Sequence, residues 1–101
     1  MWAQLIHAPL KPGADVSALA GVLKASELPD SGLVREVFLH DQNNPDTVYV
    51  IAFFESEEKA RAREADPRRA ERQEPVRTWM AENLAGPPTF TDLIVDDDWI
   101  P

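Results

Sequence analysis

The sequence predicts an α+β domain in which helices cover one face of a single antiparallel β-sheet. Residues Thr47 to Phe54 form a strand pattern that is apolar at both odd and even positions, so neither face suits water. Strand-like and helix-like segments alternate along the chain, and a turn-rich segment joins two of the strands. A chain of 101 residues is long enough for one core, so we expect one domain over residues 1–101.

Breaker and cap residues mark the first strand and the first helix. Residues Trp2 to Leu10 are strand-like, and Pro12 and Gly13 follow them. Asp15 suits the N-cap of a helix that stops before Pro29. The apolar positions of this helix follow the spacing i, i+3, i+4 and i+7, and they are Val16, Leu19, Ala20 and Leu23. That stripe predicts a helix that packs on the sheet.

The middle of the chain predicts a hairpin followed by a helix. Residues Leu33 to Asp41 form a second strand, and the turn formers Gln42 to Asp46 connect it to Thr47 to Phe54. The two strands should therefore pair antiparallel. Ser56 then caps a helix whose first turn carries two glutamates, where negative charge interacts favourably with the helix dipole.

The C-terminal half predicts two or three short helices and a last strand. Pro67 and Pro75 each lack an amide donor and suit the first turn of a new helix, with Asp66 as the cap of the second one. Residues Thr89 to Val95 then read as a fourth strand before an acidic tail. The apolar stripe of the last helix consists of Val76, Trp79, Met80 and Leu84.

The resulting order is strand, helix, strand, strand, helix, strand, which is the βαββαβ arrangement of ferredoxin-like folds. In that arrangement the sheet is antiparallel and four-stranded, and all helices lie on one face. The strand Thr47 to Phe54 is apolar at both odd and even positions, so it would leave a large apolar patch on the face that the helices do not cover. We therefore expect a homodimer in which a second copy covers that face.

Charge and composition exclude several kinds of partner. The net charge of −8 opposes binding to nucleic acid or to an anionic membrane surface. The chain has no cysteine, which removes thiol nucleophiles, disulfides and thiolate metal sites. It also has no apolar run long enough to span a bilayer, and we expect a cytoplasmic protein.

Two segments carry a family resemblance: Phe54-Glu55-Ser56-Glu57-Glu58 at the junction of strand and helix, and the ending GPPTFTDLIV. With the element order, they resemble the dimeric α/β-barrel superfamily, specifically the antibiotic-biosynthesis-monooxygenase-like domains. The resemblance implies two sheets packed into a barrel across a dimer, and an apolar pocket between each sheet and its helices. It also implies a cofactor-independent monooxygenase of aromatic or quinone-like molecules.

The haem-degrading enzymes of the same superfamily are a poorer match. They typically carry Trp where this chain has Phe54, and a haem-ligating His near the position of Gln73. Ile6 stands near the position at which a first-strand Asn is expected. We therefore expect no haem, no other cofactor and no metal.

Six residues are candidates for a site that binds and oxidises an aromatic molecule. His7 is the proposed base, since a histidine exchanges protons near neutral pH, and Arg35 could stabilise a phenolate or enolate. The pocket walls are predicted to be Tyr49, Phe54, Trp79 and Met80, because aromatic and thioether groups pack on flat ligands.

Each candidate also has a structural interpretation. His7 could be a partly buried structural histidine, Phe54 and Trp79 could belong to the core, and Arg35 could pair with a surface carboxylate. Residues 57 to 77 carry seven basic and six acidic side chains, which predicts a solvated helix surface rather than an anion-binding patch. The alternative to an enzyme is therefore a non-catalytic protein that binds a small ligand on the same scaffold.

Overall fold

The computed structural model describes residues 1–101 and contains the predicted antiparallel sheet of four strands. The strands are β1 (Trp2–Pro9), β2 (Leu33–His40), β3 (Thr47–Phe54) and β4 (Thr89–Ile94). The helices are α1 (Ser17–Ser26), α2 (Glu57–Ala65), α3 (Pro67–Arg72) and α4 (Glu74–Asn83). Each element lies within one or two residues of its predicted bounds.

The strands lie in the order β2-β3-β1-β4, and every neighbouring pair is antiparallel. This order confirms the predicted ferredoxin-like topology. Along β1, His7 lies opposite Tyr49 of β3 on one side and Thr89 of β4 on the other. A bulge interrupts the pairing of β2 with β3 between Leu33 and Arg35.

The two faces of the sheet differ in burial, as the alternation along β3 makes clear. The even residues Val48, Val50, Ala52 and Phe54 are buried beneath the helices, with 3 to 4% exposure. The odd residues of β3 are only half-buried, because no helix covers them. We call this second surface the open face. Its apolar side chains are Leu5, Val37, Leu39, Tyr49, Ile51, Phe53 and Leu93.

The starts of α2 and α3 use the predicted caps. The Ser56 hydroxyl accepts a hydrogen bond from the Lys59 amide at 3.2 Å, and the Asp66 carboxylate accepts one from Arg68 at 2.9 Å. At α1 the N-cap is Val16 rather than the predicted Asp15, because the helix begins only at Ser17, although the Asp15 carboxylate still accepts a hydrogen bond from the Ala18 amide. The hydrogen bonds from Ser17 and Ala18 hold the pKa of Asp15 below its usual value.

Backbone and side-chain hydrogen bonds fasten the end of β1 to the end of α4. The Lys11 amide donates to the Asn83 carbonyl at 2.8 Å, and the Ala85 amide donates to the Pro9 carbonyl at 2.9 Å. The Asp15 amide donates to the Asn83 side chain at 3.0 Å. These contacts close one end of the space between sheet and helices, and we call them the α4 latch.

The chain ends in an extended acidic tail after β4, as the sequence predicted. Trp99 and Ile100 are 78% and 84% exposed there, so nothing in the single chain covers them. No helix of the chain has both the length and the hydropathy that crossing a membrane requires.

Candidate functional site

An apolar cavity of about 170 Å³ lies between the sheet and the helices. Its floor is formed by side chains from β1 and β3, its walls by α1 and α4, and Phe90 of β4 lies at its edge. Eleven of its 14 lining residues are hydrophobic, so it suits a ligand that is apolar over most of its surface. The polar groups among the lining residues come from Arg69 and Gln73, and from the Trp79 indole.

A second, more polar space of about 500 Å³ opens beside the apolar cavity. The two share Ile6, Leu23, Arg69 and Phe90, so they adjoin, and we call them together the cleft, with an apolar end and a charged end. We call the charged end the polar chamber. Its charged side chains are Glu36, Arg61, Arg63, Glu64, Arg69 and Asp92.

Most charges around the polar chamber are paired. Arg63 binds the carboxylate of Glu27 through two hydrogen bonds of 2.9 and 2.6 Å, and both side chains are mostly buried. Burial raises the pKa of Glu27, but the hydrogen bonds and the charge of Arg63 outweigh it and lower that pKa below its usual value. Arg61 binds Asp92 at 2.7 Å.

Arg69 and Glu36 are the exceptions. Neither side chain makes a hydrogen bond or an ion pair, and the buried Nε of Arg69 has no partner. Burial raises the pKa of the Glu36 carboxyl above its usual value, and the nearby charge of Arg63 only partly offsets that effect. Burial and the neighbouring charge of Arg63 lower the pKa of Arg69. The cleft therefore holds one acid and one guanidinium without partners.

Three of the six predicted site residues border this cleft. Trp79 and Met80 line the apolar cavity, as expected for pocket walls. The Trp79 indole donates to the Asp15 carbonyl at 2.9 Å, so its N–H is already used to hold α4 against the start of α1. Phe54 borders the polar chamber instead, where the Arg63 guanidinium lies over its ring at 5.2 Å.

The other three lie across the sheet, on the open face. The His7 ring stacks on Tyr49 with 5.8 Å between centroids, and Arg35 lies over Phe53 at 6.0 Å. Because side chains alternate along a strand, His7, Tyr49 and Arg35 lie on the face of the sheet that points away from the helices. Ile6, Val48 and Val50 lie on the face that points toward them. The six candidate residues therefore do not share one pocket. The backbone of the sheet separates His7, Arg35 and Tyr49 from the cleft, and their catalytic or binding roles stay predictions.

Sequence reasoning missed Arg69 and Glu36. The interpretation of residues 57 to 77 as a solvated surface is wrong for Arg63, whose side chain is 13% exposed, and for Arg69, whose Nε is buried. One signal was available for Glu36. It stands two residues before Phe38, so both side chains lie on the face of β2 that points toward the helices. A carboxylate is unusual in such a position. No group of three or more His, Asp or Glu side chains is arranged to hold a metal ion.

No family model matches this sequence, and no curated protein matches it. Solved structures do match its fold. A proposed antibiotic biosynthesis monooxygenase from Nitrosomonas europaea aligns with a TM-score of 0.69 and 13% identity, over 96% of this chain and 100% of its own. A protein of unknown function from the same organism aligns with a TM-score of 0.71 and 21% identity, over 99% and 93% of the two chains.

SnoaB, a cofactor-independent oxygenase from Streptomyces nogalater, also aligns, with a TM-score of 0.69 and 11% identity over 96% of this chain and 94% of its own. Identities this low carry the architecture and no catalytic residue from one protein to another. Over nearly its whole length, the chain therefore has the fold of the antibiotic biosynthesis monooxygenase domains, which confirms the resemblance that its sequence predicted.

Proposed function

We propose that this protein binds an aromatic or quinone-like small molecule in the cleft and acts as a cofactor-independent monooxygenase. The observation that carries the proposal is the apolar cavity walled by Trp79 and Met80, within a fold that a known cofactor-independent oxygenase shares. A flat ring system would pack against the indole and the thioether. Such a molecule would extend from the apolar cavity into the polar chamber.

The proposed reaction uses dioxygen as the only co-reactant. With an anthrone-like substrate, the ring CH₂ group would become a carbonyl, taking one oxygen atom of O₂. The other oxygen atom would leave as water with the two hydrogens of that carbon. The protein would favour the reaction by holding the substrate as an electron-rich anion, which gives up an electron to oxygen more readily than the neutral form does.

The proposed test follows oxygen uptake while anthrone-like and hydroquinone compounds are added. Uptake matched to product formation supports the enzyme. His7→Ala and Arg35→Ala test the two residues proposed for catalysis from the sequence. If both variants keep full turnover, those two assignments are wrong and the class of reaction stands. If no compound is turned over, the enzyme proposal is overturned.

A non-catalytic ligand-binding protein is the second candidate. It is favoured by the composition of the apolar cavity, where Arg69 and Gln73 are the polar side chains besides the indole and neither is an ordinary proton carrier near neutral pH. Quenching of tryptophan fluorescence without oxygen uptake would support this candidate. Trp79→Phe should remove most of that quenching, whereas Trp99→Phe, in the exposed tail, should leave it unchanged.

We also propose that the protein is a homodimer in which two open faces pack together. The support is the number of apolar side chains on that face and the absence of any element of the chain that covers it. Ile51→Lys, at the centre of the face, should give a monomer in sedimentation velocity. Glu58→Lys, on the exposed side of α2, is the control and should stay dimeric. A monomeric wild-type protein at micromolar concentration would contradict the proposal.

A further inference from the structure

Arg69 is the arginine around the polar chamber whose guanidinium lacks a partner. Its neighbours are engaged: Arg61 with Asp92, Arg63 with Glu27, and Arg68 with Asp66. A buried N–H without an acceptor costs free energy that folding must recover elsewhere. Arg69 borders both ends of the cleft, so a ligand there can offer an acceptor to the guanidinium, whose buried Nε has none within the chain.

Glu36 faces the same polar chamber from β2 and also lacks a hydrogen-bond donor. The charges of Glu36 and Arg69 affect each other, yet the two groups are too far apart for an ion pair. A proton acceptor and a fixed cation therefore flank one space that adjoins the apolar cavity. This is the arrangement that a weakly acidic hydroxyl on an apolar ring would complete.

We propose that Arg69 and Glu36 form a recognition site for the acidic hydroxyl of a phenolic or enolic ligand, whose ring system lies in the apolar cavity. The inference rests on the proposed ligand binding and adds the two residues that would recognise the ligand. On binding, the O–H bond of the ligand breaks and its proton forms a new O–H bond with the Glu36 carboxylate. The electron pair stays on the ligand oxygen, and that anion accepts hydrogen bonds from Arg69.

The protonation behaviour of the two side chains fits these roles. Burial raises the pKa of Glu36, which makes it a better proton acceptor than an exposed carboxylate. Arg69 remains charged because a guanidinium loses its proton only at very high pH, even where burial lowers its pKa. The ionised ligand would thus stand between a neutral acid and a cation, with no unpaired negative charge left in the chamber.

The test compares 2-hydroxyanthraquinone with 2-methoxyanthraquinone, which has no acidic proton. Ionisation of the hydroxyl shifts the visible absorption band to longer wavelength, so one titration reports both affinity and charge state. We expect the wild-type protein to bind the hydroxyl compound about tenfold to a hundredfold more tightly than the ether, and to bind it as the anion. Arg69→Gln should bring the two affinities to within about threefold of each other.

Two further variants separate the roles. Glu36→Gln should still bind the hydroxyl compound, but with the absorption spectrum of the neutral form, because the acceptor for its proton is gone. Arg68→Gln is the control, since this neighbouring arginine is exposed and pairs with Asp66 and Asp30. It should behave as the wild type. Arg69→Met provides a second replacement if Arg69→Gln fails to fold.

The outcomes also separate this inference from the proposed function. If hydroxyl and methoxy compounds bind equally to the wild type, or if the preference survives in Arg69→Gln, the recognition site is overturned while ligand binding in the cleft stands. If neither compound binds, both proposals are overturned. A preference for the hydroxyl compound that depends on Arg69, with an anion spectrum that depends on Glu36, supports the inference.

Discussion

Replacing Arg69 by Met should make the protein more stable, although most substitutions of half-buried residues have the opposite effect. Met keeps the length of the apolar stem that packs at the junction of the cleft, and it removes a buried N–H that has no partner. An unsatisfied buried polar group costs about 1 to 3 kcal/mol. Arg69 also gains some attraction from Glu27, Glu64 and Glu36, which the substitution gives up.

We therefore expect a net gain of about 1 kcal/mol in the free energy of unfolding, at the low end of that range. For a domain of this size, that gain corresponds to a rise of roughly 4 °C in the melting temperature. The matched control is Arg63→Met, which changes the same residue type in the same chamber. It should cost about 2 to 3 kcal/mol, because it removes two charge-assisted hydrogen bonds and leaves Glu27 mostly buried without its partner.

Urea unfolding followed by circular dichroism measures both changes, at one fixed protein concentration since dimerisation would make stability depend on concentration. The central expectation is that the free energy of unfolding rises in Arg69→Met and falls in Arg63→Met. If Arg69→Met is no more stable than the wild type, the Arg69 guanidinium has acceptors in solution that satisfy it. The idea of a cation held ready for a ligand would then fail.

Two further predictions concern backbone strain and pH. Gly32 has a φ of +82°, and an added Cβ would lie 2.8 Å from the Lys59 Cβ, so Gly32→Ala should cost about 2 kcal/mol or more. Gly21→Ala, where an added Cβ meets no other atom, should instead stabilise the protein by about 0.5 to 1 kcal/mol. If the melting temperatures of both variants shift in the same direction, this reasoning is contradicted. The folded pKa of Glu27 lies below its unfolded value of 4.5, so its contribution to stability is present above that pH and is lost as the pH falls through the folded pKa. Unfolding free energies at about pH 7 and about pH 3 should differ less in Glu27→Gln than in the wild type, and an equal difference would show that this carboxylate is not the group responsible.

Local rules predicted the elements well because those rules act over a few residues. Ser56 and Asp66 cap the helices that follow them, and Pro67 begins α3, as the sequence indicates. The alternation along β3 also identified the strand and its two unlike faces correctly. The order of the elements then left the ferredoxin-like arrangement as the economical way to pair the strands.

The site was harder to predict because it depends on how short elements are oriented. Arg68 and Arg69 are identical neighbours in the sequence, yet the turn of α3 directs one to surface carboxylates and the other into the cleft. For His7 the difficulty was to predict which face of the sheet its side chain occupies. Residues on both sides of β1 are apolar, so the pattern alone does not say which face points toward the helices. The pairing of His7 with Tyr49 places its side chain on the open face, and that pairing depends on how β1 and β3 align in the folded chain.

The α4 latch has a consequence for how a molecule would reach the cavity. Because the end near Asn83 is tied to β1 and to the start of α1, that side resists separation of sheet and helices. At the opposite side α3 buries none of its residues, so displacing it exposes little apolar surface. Entry beside α3 would therefore disturb the least apolar packing, and a ligand that entered there would pass the unpaired guanidinium of Arg69 before it reached Trp79.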